Sequence, residues 1–404
     1  MDHSMKQALI DIVGETNFTD KLIDLVSCSY DASDHDHRPE AALWPATRSQ
    51  VSKILALANT HRIPVTPRGA GTGLAGAAIP VRGGLVMDLC RMNRIKDICI
   101  EDRLAVVEPG VVHASFQKAL RPYGFFFPPD PASGKVCTLG GNVATNAGGL
   151  RCAKYGVTGD YVLGLEVALA DGRILHTGGR CMKSVSGYDL TRLFVGSEGS
   201  LGVVTEIILH IRPKPLAAKT SLAFFRTLRD AGQAVSDIIR AGVIPSVLEF
   251  LDLNAIQVLR DQAGMDLPEA EAMLLVETDG LTRAETTFQM GKMIEVCRQN
   301  RATDIREARS QEEAEDLWQA RRSVGSAAGR LGPNNISEDV AVPLSRVPDL
   351  VEGISRIVHN LHLPFVTFGH AGDGNIHPRI MYDRTDPDQV RALTDAAREI
   401  FELA

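Results

Sequence analysis

Gly140-Gly141-Asn142-Val143-Ala144-Thr145-Asn146-Ala147-Gly148-Gly149 puts four glycines, two asparagines and a threonine into ten residues. Such a run makes a poor core. It makes a good lining for a large polar ligand, because backbone N–H groups can turn inward where no side chain stands in the way, with Thr145 and Asn146 as side-chain donors. Pro128-Pro129-Asp130-Pro131-Ala132-Ser133 leads into it. A second cluster, Pro67-Arg68-Gly69-Ala70-Gly71-Thr72-Gly73, follows a β-rich stretch at 63–66. A third, Gly196-Ser197-Glu198-Gly199-Ser200-Leu201-Gly202, precedes the strand-like Val203-Val204-Thr205-Glu206. One such loop reads equally well as a tight turn or as a pyrophosphate cradle. Three in one domain are hard to explain as turns.

Gly71, Gly73 and Gly76 also satisfy G-x-G-x-x-G. That fingerprint has meaning only where it opens a helix inside a βαβ unit of about 30 residues. Here Pro80, Gly83 and Gly84 follow at once and an apolar strand begins at Leu85, so no helix fits. Dinucleotide binding of the Rossmann type is not expected.

Outward from these loops, Thr47 and Gln50 form a capping-box pattern ahead of the apolar face Val51, Ile54, Leu55 and Ala58, which starts a helix. Strands are expected at 85–89 and 104–107, an amphipathic helix at 112–120, and strands at 162–170 and 173–177 about a hairpin turn at Asp171-Gly172. A strand at 202–211 follows. Pro213 and Pro215 then interrupt the pattern and mark a domain boundary. Beyond it, helices at 228–241 and 312–328 alternate with strands at 246–251, 272–277 and 365–368, an α+β arrangement.

At 404 residues, 44% hydrophobic and 23% charged, the chain has the composition of an ordinary globular protein. Its net charge of -7 comes with no basic tract, so neither nucleic acid nor an anionic membrane is an expected partner. The seven cysteines are scattered, with no C-x-x-C pair. They lack the spacing of an iron–sulfur cluster, a zinc ribbon or a disulfide framework, and read as reduced thiols of a cytoplasmic protein. The N-terminal stretch reads as neither a signal nor a transit peptide, and no apolar run is long enough to span a bilayer.

In the C-terminal half, Phe368-Gly369-His370-Ala371-Gly372-Asp373-Gly374-Asn375-Ile376-His377 carries two histidines among three glycines. The glycines argue against a helix and for a looped strand end that presents both imidazoles. Two histidines are one ligand short of a secure metal site, and satisfied polar packing is the competing reading.

The ordered set PRGAGTGLAGA, PPDPAS, GGNVATNAGG, YGVTGDYVLGLEVALADG and SGYDLTRLFVGSEGSLGVVTE resembles the FAD-binding domain of the vanillyl-alcohol-oxidase-type flavoproteins, in the branch that holds D-lactate dehydrogenase and the flavin-carrying subunit of glycolate oxidase. The resemblance runs from about Tyr30 onward. It implies an α+β fold: an N-terminal helical segment at 1–37, a two-lobed FAD-binding domain of the PCMH type at 38–216, and an α+β substrate (cap) domain at 217–404. It further implies that Pro67, Arg68, Gly69, Ala70, Gly71, Thr72 and Gly73 hold the pyrophosphate, and that Pro129, Asp130, Ser133, Gly140, Gly141, Asn142, Thr145, Asn146 and Gly148 line the cofactor. Gly156, Val162, Glu198, Gly199, Gly202 and Val204 would complete the adenosine and ribityl contacts. The first loop has neither the histidine nor the cysteine that tethers flavin in some relatives, so FAD is expected to bind non-covalently.

By the same resemblance His370 and His377 bind a divalent metal, zinc, manganese or iron, and act on the hydroxyl of a small D-2-hydroxy acid. Arg321, in Leu317-Trp318-Gln319-Ala320-Arg321-Arg322, becomes a candidate clamp for the substrate carboxylate, against the plain reading of a helix-surface arginine. Glu338 and Asp339 match an acidic pair of the family. Relatives continue for roughly another 60 residues and include a Gly-Glu-His-Gly-type motif, whereas the helical pattern at 390–404 stops at Ala404 without a C-cap glycine. The expectation is a C-terminally shortened family member. The expected activity is FAD-dependent oxidation of glycolate or D-lactate to the 2-oxo acid, with electrons leaving to a separate iron–sulfur subunit, a quinone or a soluble carrier. A non-catalytic FAD-carrying subunit and an oxidase of alcohols or sugars are the alternatives. Homo- or hetero-oligomers, and peripheral attachment to the inner membrane through partners, are compatible with the family.

Overall fold

The computed structural model describes the backbone of residues 1–404 and the side chains of all but residues 262, 263 and 326. The chain divides into two compact units, Met1–Gly148 with Val157–Lys214, and Gly149–Gly156 with Pro215–Ala404.

The first unit contains strands β1 (Phe18–Thr19), β2 (Ala41–Leu43), β3 (Val65–Arg68), β4 (Leu85–Asp88), β5 (Ile95–Cys99), β6 (Leu104–Val107), β7 (Phe125–Phe126), β8 (Val162–Ala168), β9 (Ile174–Gly178), β10 (Val203–His210) and β11 (Arg212–Pro213). Its first sheet has the order β1-β2-β4-β3, with β2, β4 and β3 parallel. Ala41, Ala42, Leu43, Leu85, Val86 and Met87 are all buried, as a parallel sheet covered on both faces requires. The helix Arg48–His61 connects β2 to β3 and buries Val51, Ile54, Leu55 and Ala58. The Thr47 side chain accepts a hydrogen bond from Gln50 N, whereas the Gln50 side chain accepts from Ala46 N, one residue before the position a strict capping box uses. From Arg68 to Leu85 the chain runs without a helix, so G-x-G-x-x-G here is not a Rossmann fingerprint.

The second sheet of this unit is antiparallel, in the order β5-β6-β10-β8-β9. The register of β10 against β8 shifts between Val204 and Glu206, leaving Thr205 as a bulge. Thr205 Oγ1 donates to Glu166 Oε1 (2.9 Å), and Arg48 Nη1 (2.5 Å) and His176 Nε2 (3.0 Å) reach Oε2 of the same buried carboxylate. Burial pushes the Glu166 carboxyl up, but Thr205, Arg48 and His176 outweigh it and hold it below the ordinary glutamate range.

The second unit contains β12 (Ala217–Phe225), β13 (Val247–Asp252), β14 (Ala272–Gly280), β15 (Asp304–Glu307), β16 (Asn334–Ser337), β17 (Val340–Ala341), β18 (Phe365–His370) and β19 (Asn375–Tyr382). They form one antiparallel sheet in the order β15-β12-β14-β13-β18-β19-β16, with β17 on β19. Strand alternation divides the core in two. Leu248, Phe250, Leu274 and Val276 pack with the helices Leu228–Arg240, Arg283–Gln299, Val347–His359 and Pro387–Leu403. Val247, Leu251, Met273, Leu275 and Phe368 face the helices Leu253–Ala263 and Gln311–Ala328 on the other side. Helices Leu228–Arg240 and Val347–His359 meet closely at Gly232, where a Cβ would lie 2.8 Å from Pro348 Cα. Among the described residues no helix is long and apolar enough to cross a membrane.

The helices expected at 228–241 and 312–328 are Leu228–Arg240 and Gln311–Ala328, and the strand expected at 104–107 is β6. The glycine run at 140–149 differs from a plain lining: Leu139–Thr145 is a short helix, N-capped by Thr138. Its first turn contains Gly140 and Gly141, whose poor helix propensity hides it from a pattern reading.

Two outcomes follow for stability. Because the folded-state pKa of Glu166 is depressed, its stabilisation is present above the ordinary value of 4.5 and is lost as pH falls through the folded-state value. Glu166→Gln should therefore lower the melting temperature at neutral pH and flatten its acid-side decline; an acid-side slope equal to wild type contradicts this. Gly232→Val should cost about 1–3 kcal/mol in denaturant unfolding through overpacking at Pro348. An unchanged midpoint contradicts it.

Candidate functional site

In the first unit the three glycine clusters are assembled against one another. A Cβ on Gly69 would run into Thr138 Oγ1, and one on Gly199 into Pro67. Glu198 N donates to Ala144 O (2.8 Å) and Gly196 N to Val143 O (2.9 Å), so the third cluster is bonded directly to the second. Asn146 (φ 49°) and Glu198 (φ 52°) both take the left-handed conformation, uncommon for residues with a Cβ. The Asn146 side chain accepts from Gly159 N (2.8 Å), which fixes the far end of the loop.

Arg68 is buried and its Nη1 lies 3.4 Å from Ala78 O, so the guanidinium stays over its own loop. At Gly71 (φ +66°) a Cβ would collide with that guanidinium. A cation held beside bare backbone is an anion site, suited to a pyrophosphate. Asn142 is buried with Nδ2 lacking a protein partner, and His113 likewise leaves Nδ1 unsatisfied. A buried amide donor without an acceptor calls for a ligand or water. The residues present therefore fit a large, polar, phosphate-bearing cofactor.

Other expected lining residues are placed variously. Pro129 is buried, Asp130, Ser133, Thr72 and Gly73 are half-buried, and Ala70 is exposed. Thr145 Oγ1 donates back to Gly141 O (3.1 Å), satisfying its own helix and not acting as a free donor. Val162 is part of the apolar core beside the five-stranded sheet, Gly202 packs on Val167 and Ala168, and Val204 is half-buried in β10. Gly148 ends the first block of the first unit, and Gly156 (φ 76°) belongs to the Gly149–Gly156 segment of the second.

In the second unit His370 ends β18 and His377 lies in β19, and their ring centroids are 5.1 Å apart. Pairing Phe368 with His377 and His370 with Asn375 puts both imidazoles on the sheet face that carries the helix Gln311–Ala328. Each ring is oriented by a carboxylate at Nδ1: His370 donates to Glu249 (2.6 Å), and His377 lies 3.1 Å from the exposed Asp339. This leaves Nε2 of each ring as the lone-pair atom.

Glu249, in β13, is completely buried and also pairs with Arg321, whose guanidinium stacks on the Phe368 ring at 4.6 Å. Burial opposes ionisation of Glu249, but Arg321 and His370 prevail and keep it below the usual range. Burial likewise opposes protonation of His370, yet Glu249 raises its pKa. Asp373, half-buried in the turn between the histidines, is pushed up to about 6 by desolvation. Arg321 is thus no surface arginine: it is buried, tied to Glu249, and keeps Nε without a partner. Sequence reasoning missed Glu249, although a lone acid in the apolar run Val247-Leu248-Glu249-Phe250-Leu251 is itself a signal.

Both imidazoles have the carboxylate backing that orients metal-ligating histidines. Among the described residues no three His, Cys, Asp or Glu side chains converge as a ligand group, so the two imidazoles alone do not make up a metal site.

Comparison with known proteins agrees with this layout. Residues 39–178 match the FAD binding domain family, and residues 214–404 match the C-terminal domain of FAD linked oxidases. The chain is 45% identical over 403 residues to glycolate oxidase subunit GlcD of Bacillus subtilis, covering 99% of this chain and 85% of that protein.

The chain belongs to the FAD-linked oxidases.

This FAD-linked oxidase is also 38% identical over 367 residues to glycolate oxidase subunit GlcD of Escherichia coli (91% of this chain, 73% of that one). It is 32% identical over 357 residues to a mitochondrial D-lactate dehydrogenase [cytochrome] of Arabidopsis thaliana (87% and 62%). Among solved structures it resembles p-cresol methylhydroxylase (TM-score 0.84, 20% identity, 99% and 86% coverage) and alkyldihydroxyacetonephosphate synthase (TM-score 0.82, 17% identity, 100% and 80%), which establishes a shared fold.

In this oxidase Gly71→Val, which forces a Cβ onto the Arg68 guanidinium, should abolish most flavin retention and leave the far-ultraviolet circular dichroism unchanged. Purified protein with wild-type flavin absorbance per chain would contradict the assigned cradle.

Proposed function

We propose that this FAD-linked oxidase oxidises a small D-2-hydroxy acid, of the glycolate or D-lactate type, to the 2-oxo acid. The observation that carries the reading is the pair of imidazoles, 5.1 Å apart, each backed by a carboxylate at Nδ1 and sharing a sheet face with Arg321. FAD, held non-covalently by residues 68–73, the 129–148 segment and the loop at 198–199, supplies the acceptor for a hydride from the substrate's C2. The first loop offers no histidine or cysteine for a covalent bond, and Cys137 is buried.

His370 and His377 would hold a divalent ion, zinc, manganese or iron, through Nε2, and the chemistry it supplies there is Lewis-acid lowering of the hydroxyl pKa. Glu249 and Asp339 fix the tautomer that directs those lone pairs outward. Glu249 has a second role. By pairing with Arg321 and accepting from His370 Nδ1, it offsets the buried guanidinium charge and holds the neutral His370 ring with Nε2 free. The unpartnered Arg321 Nε is the donor available to the substrate carboxylate.

Electrons then leave to a partner: a separate iron–sulfur subunit, a quinone or a soluble carrier. The relatives named as glycolate oxidase subunits favour a separate partner subunit as the acceptor. A cytoplasmic protein, peripheral to the inner membrane through that partner, suits the reading.

The test is anaerobic mixing of flavin-loaded protein with D-lactate, glycolate and L-lactate. Bleaching of the flavin by D-lactate or glycolate and not by L-lactate is expected, and His370→Ala should slow it at least about a hundredfold with flavin content unchanged. No reduction by any 2-hydroxy acid would sink the proposal and favour a flavin-carrying subunit without its own substrate.

A further inference from the structure

The segment Gly149–Gly156 continues the glycine cluster at 140–149, yet it belongs to the second unit. Its hold there is chemical. Lys154 Nζ donates to Asp279 Oδ1 (2.5 Å) and to the Asp279 carbonyl (2.7 Å), and Tyr155 OH donates to Asp279 Oδ2 (2.7 Å). Both carboxylate oxygens of Asp279, a buried residue near the end of β14, are therefore spent on two consecutive residues of the segment. Two positions earlier on the same strand face, Glu277 is in electrostatic reach of Arg151 and accepts from Trp318 Nε1 (2.8 Å), one helical turn before Arg321. Leu150 is buried in the apolar cluster on this face, and Ala153 packs so closely on Gly372, between the two histidines, that a Cβ there would lie 2.8 Å from it.

This short segment, with the single helical turn Cys152–Tyr155, is already anchored by the buried Leu150 and Tyr155, so the doubly used carboxylate of Asp279 adds a fixed position to it. What Asp279 fixes is where the glycine cluster ends. Gly148 and Gly156 bracket the segment, and the Asn142 and Asn146 contacts of the cofactor cradle lie just before it.

We propose that Asp279 is a positioning residue for the flavin: through Lys154 and Tyr155 it latches the Gly149–Gly156 strap to β14 and thereby holds the adjoining glycine cluster in its binding conformation. The inference rests on FAD binding by this family and not on the choice of substrate, so its failure and that of the substrate reading are separable.

The experiment is FAD titration of the deflavinated full chain, followed by flavin fluorescence, with thermal unfolding in parallel. Asp279→Ala should raise the FAD Kd at least about tenfold, equivalent to about 1.4 kcal/mol. Lys154→Met should move it in the same direction, and Lys154→Arg, which keeps the ion pair, should return it to near wild type. Gly232→Val destabilises the same unit away from the strap and should leave the Kd unchanged. Wild-type affinity in Asp279→Ala and Lys154→Met overturns the proposal, as does an equal weakening in Gly232→Val. If Asp279→Ala does not fold, the two Lys154 variants decide by the same criteria.

Discussion

A carboxylate with no access to water organises the second unit of this oxidase. Glu249 is fully buried in the middle of an antiparallel sheet, where an unpaired negative charge would cost several kcal/mol. It is accommodated because Arg321 arrives from the helix Gln311–Ala328 and His370 from the neighbouring β18. That requirement fixes the helix, the strand end and the imidazole tautomer together. Phe368 adds a flat surface on which the guanidinium stacks. Removal of Arg321 or of Glu249 leaves the other's charge buried without its partner, so the constellation is rigid for an electrostatic reason and not through packing alone.

The glycine-rich half obeys a different constraint, the close approach of loop backbone to the side chains of neighbouring loops. Glycine is required at Gly69, Gly71 and Gly199 because a Cβ would strike Thr138, Arg68 or Pro67. The cradle is closed by main-chain hydrogen bonds from Gly196 and Glu198 to the helix Leu139–Thr145, and by strained left-handed residues at Asn146 and Glu198. Strain at non-glycine positions of this kind persists only where surrounding contacts over-determine it, and here the contacts of three loops do so.

Much of this is legible in the sequence. Glycine density exposes the cradle, because few other uses account for so many glycines in three ordered clusters. The period-2 and period-3.6 patterns place the strands and helices to within a few residues, as at β6 and Leu228–Arg240. Pro67 reads as loop, yet it lies in β3, at the edge of its sheet, where a missing N–H is tolerated. What stays hidden is long-range pairing. Glu249 finds His370 across 121 residues and Lys154 finds Asp279 across 125, separations over which no periodicity carries a signal. The strap shows this most clearly: its sequence reads as part of the flavin domain, and its side chains are bonded within the second unit.

Oxidation of a D-2-hydroxy acid by this chain, as proposed, sends the C2 hydride to the flavin. The direct measurement is the rate of anaerobic flavin reduction by D-lactate carrying protium or deuterium at C2. Deuterium is expected to slow reduction severalfold with the extent of bleaching unchanged. Equal rates for the two isotopologues in a single-turnover reaction limited by the chemical step, or bleaching that requires no C2 hydrogen, would contradict the claim.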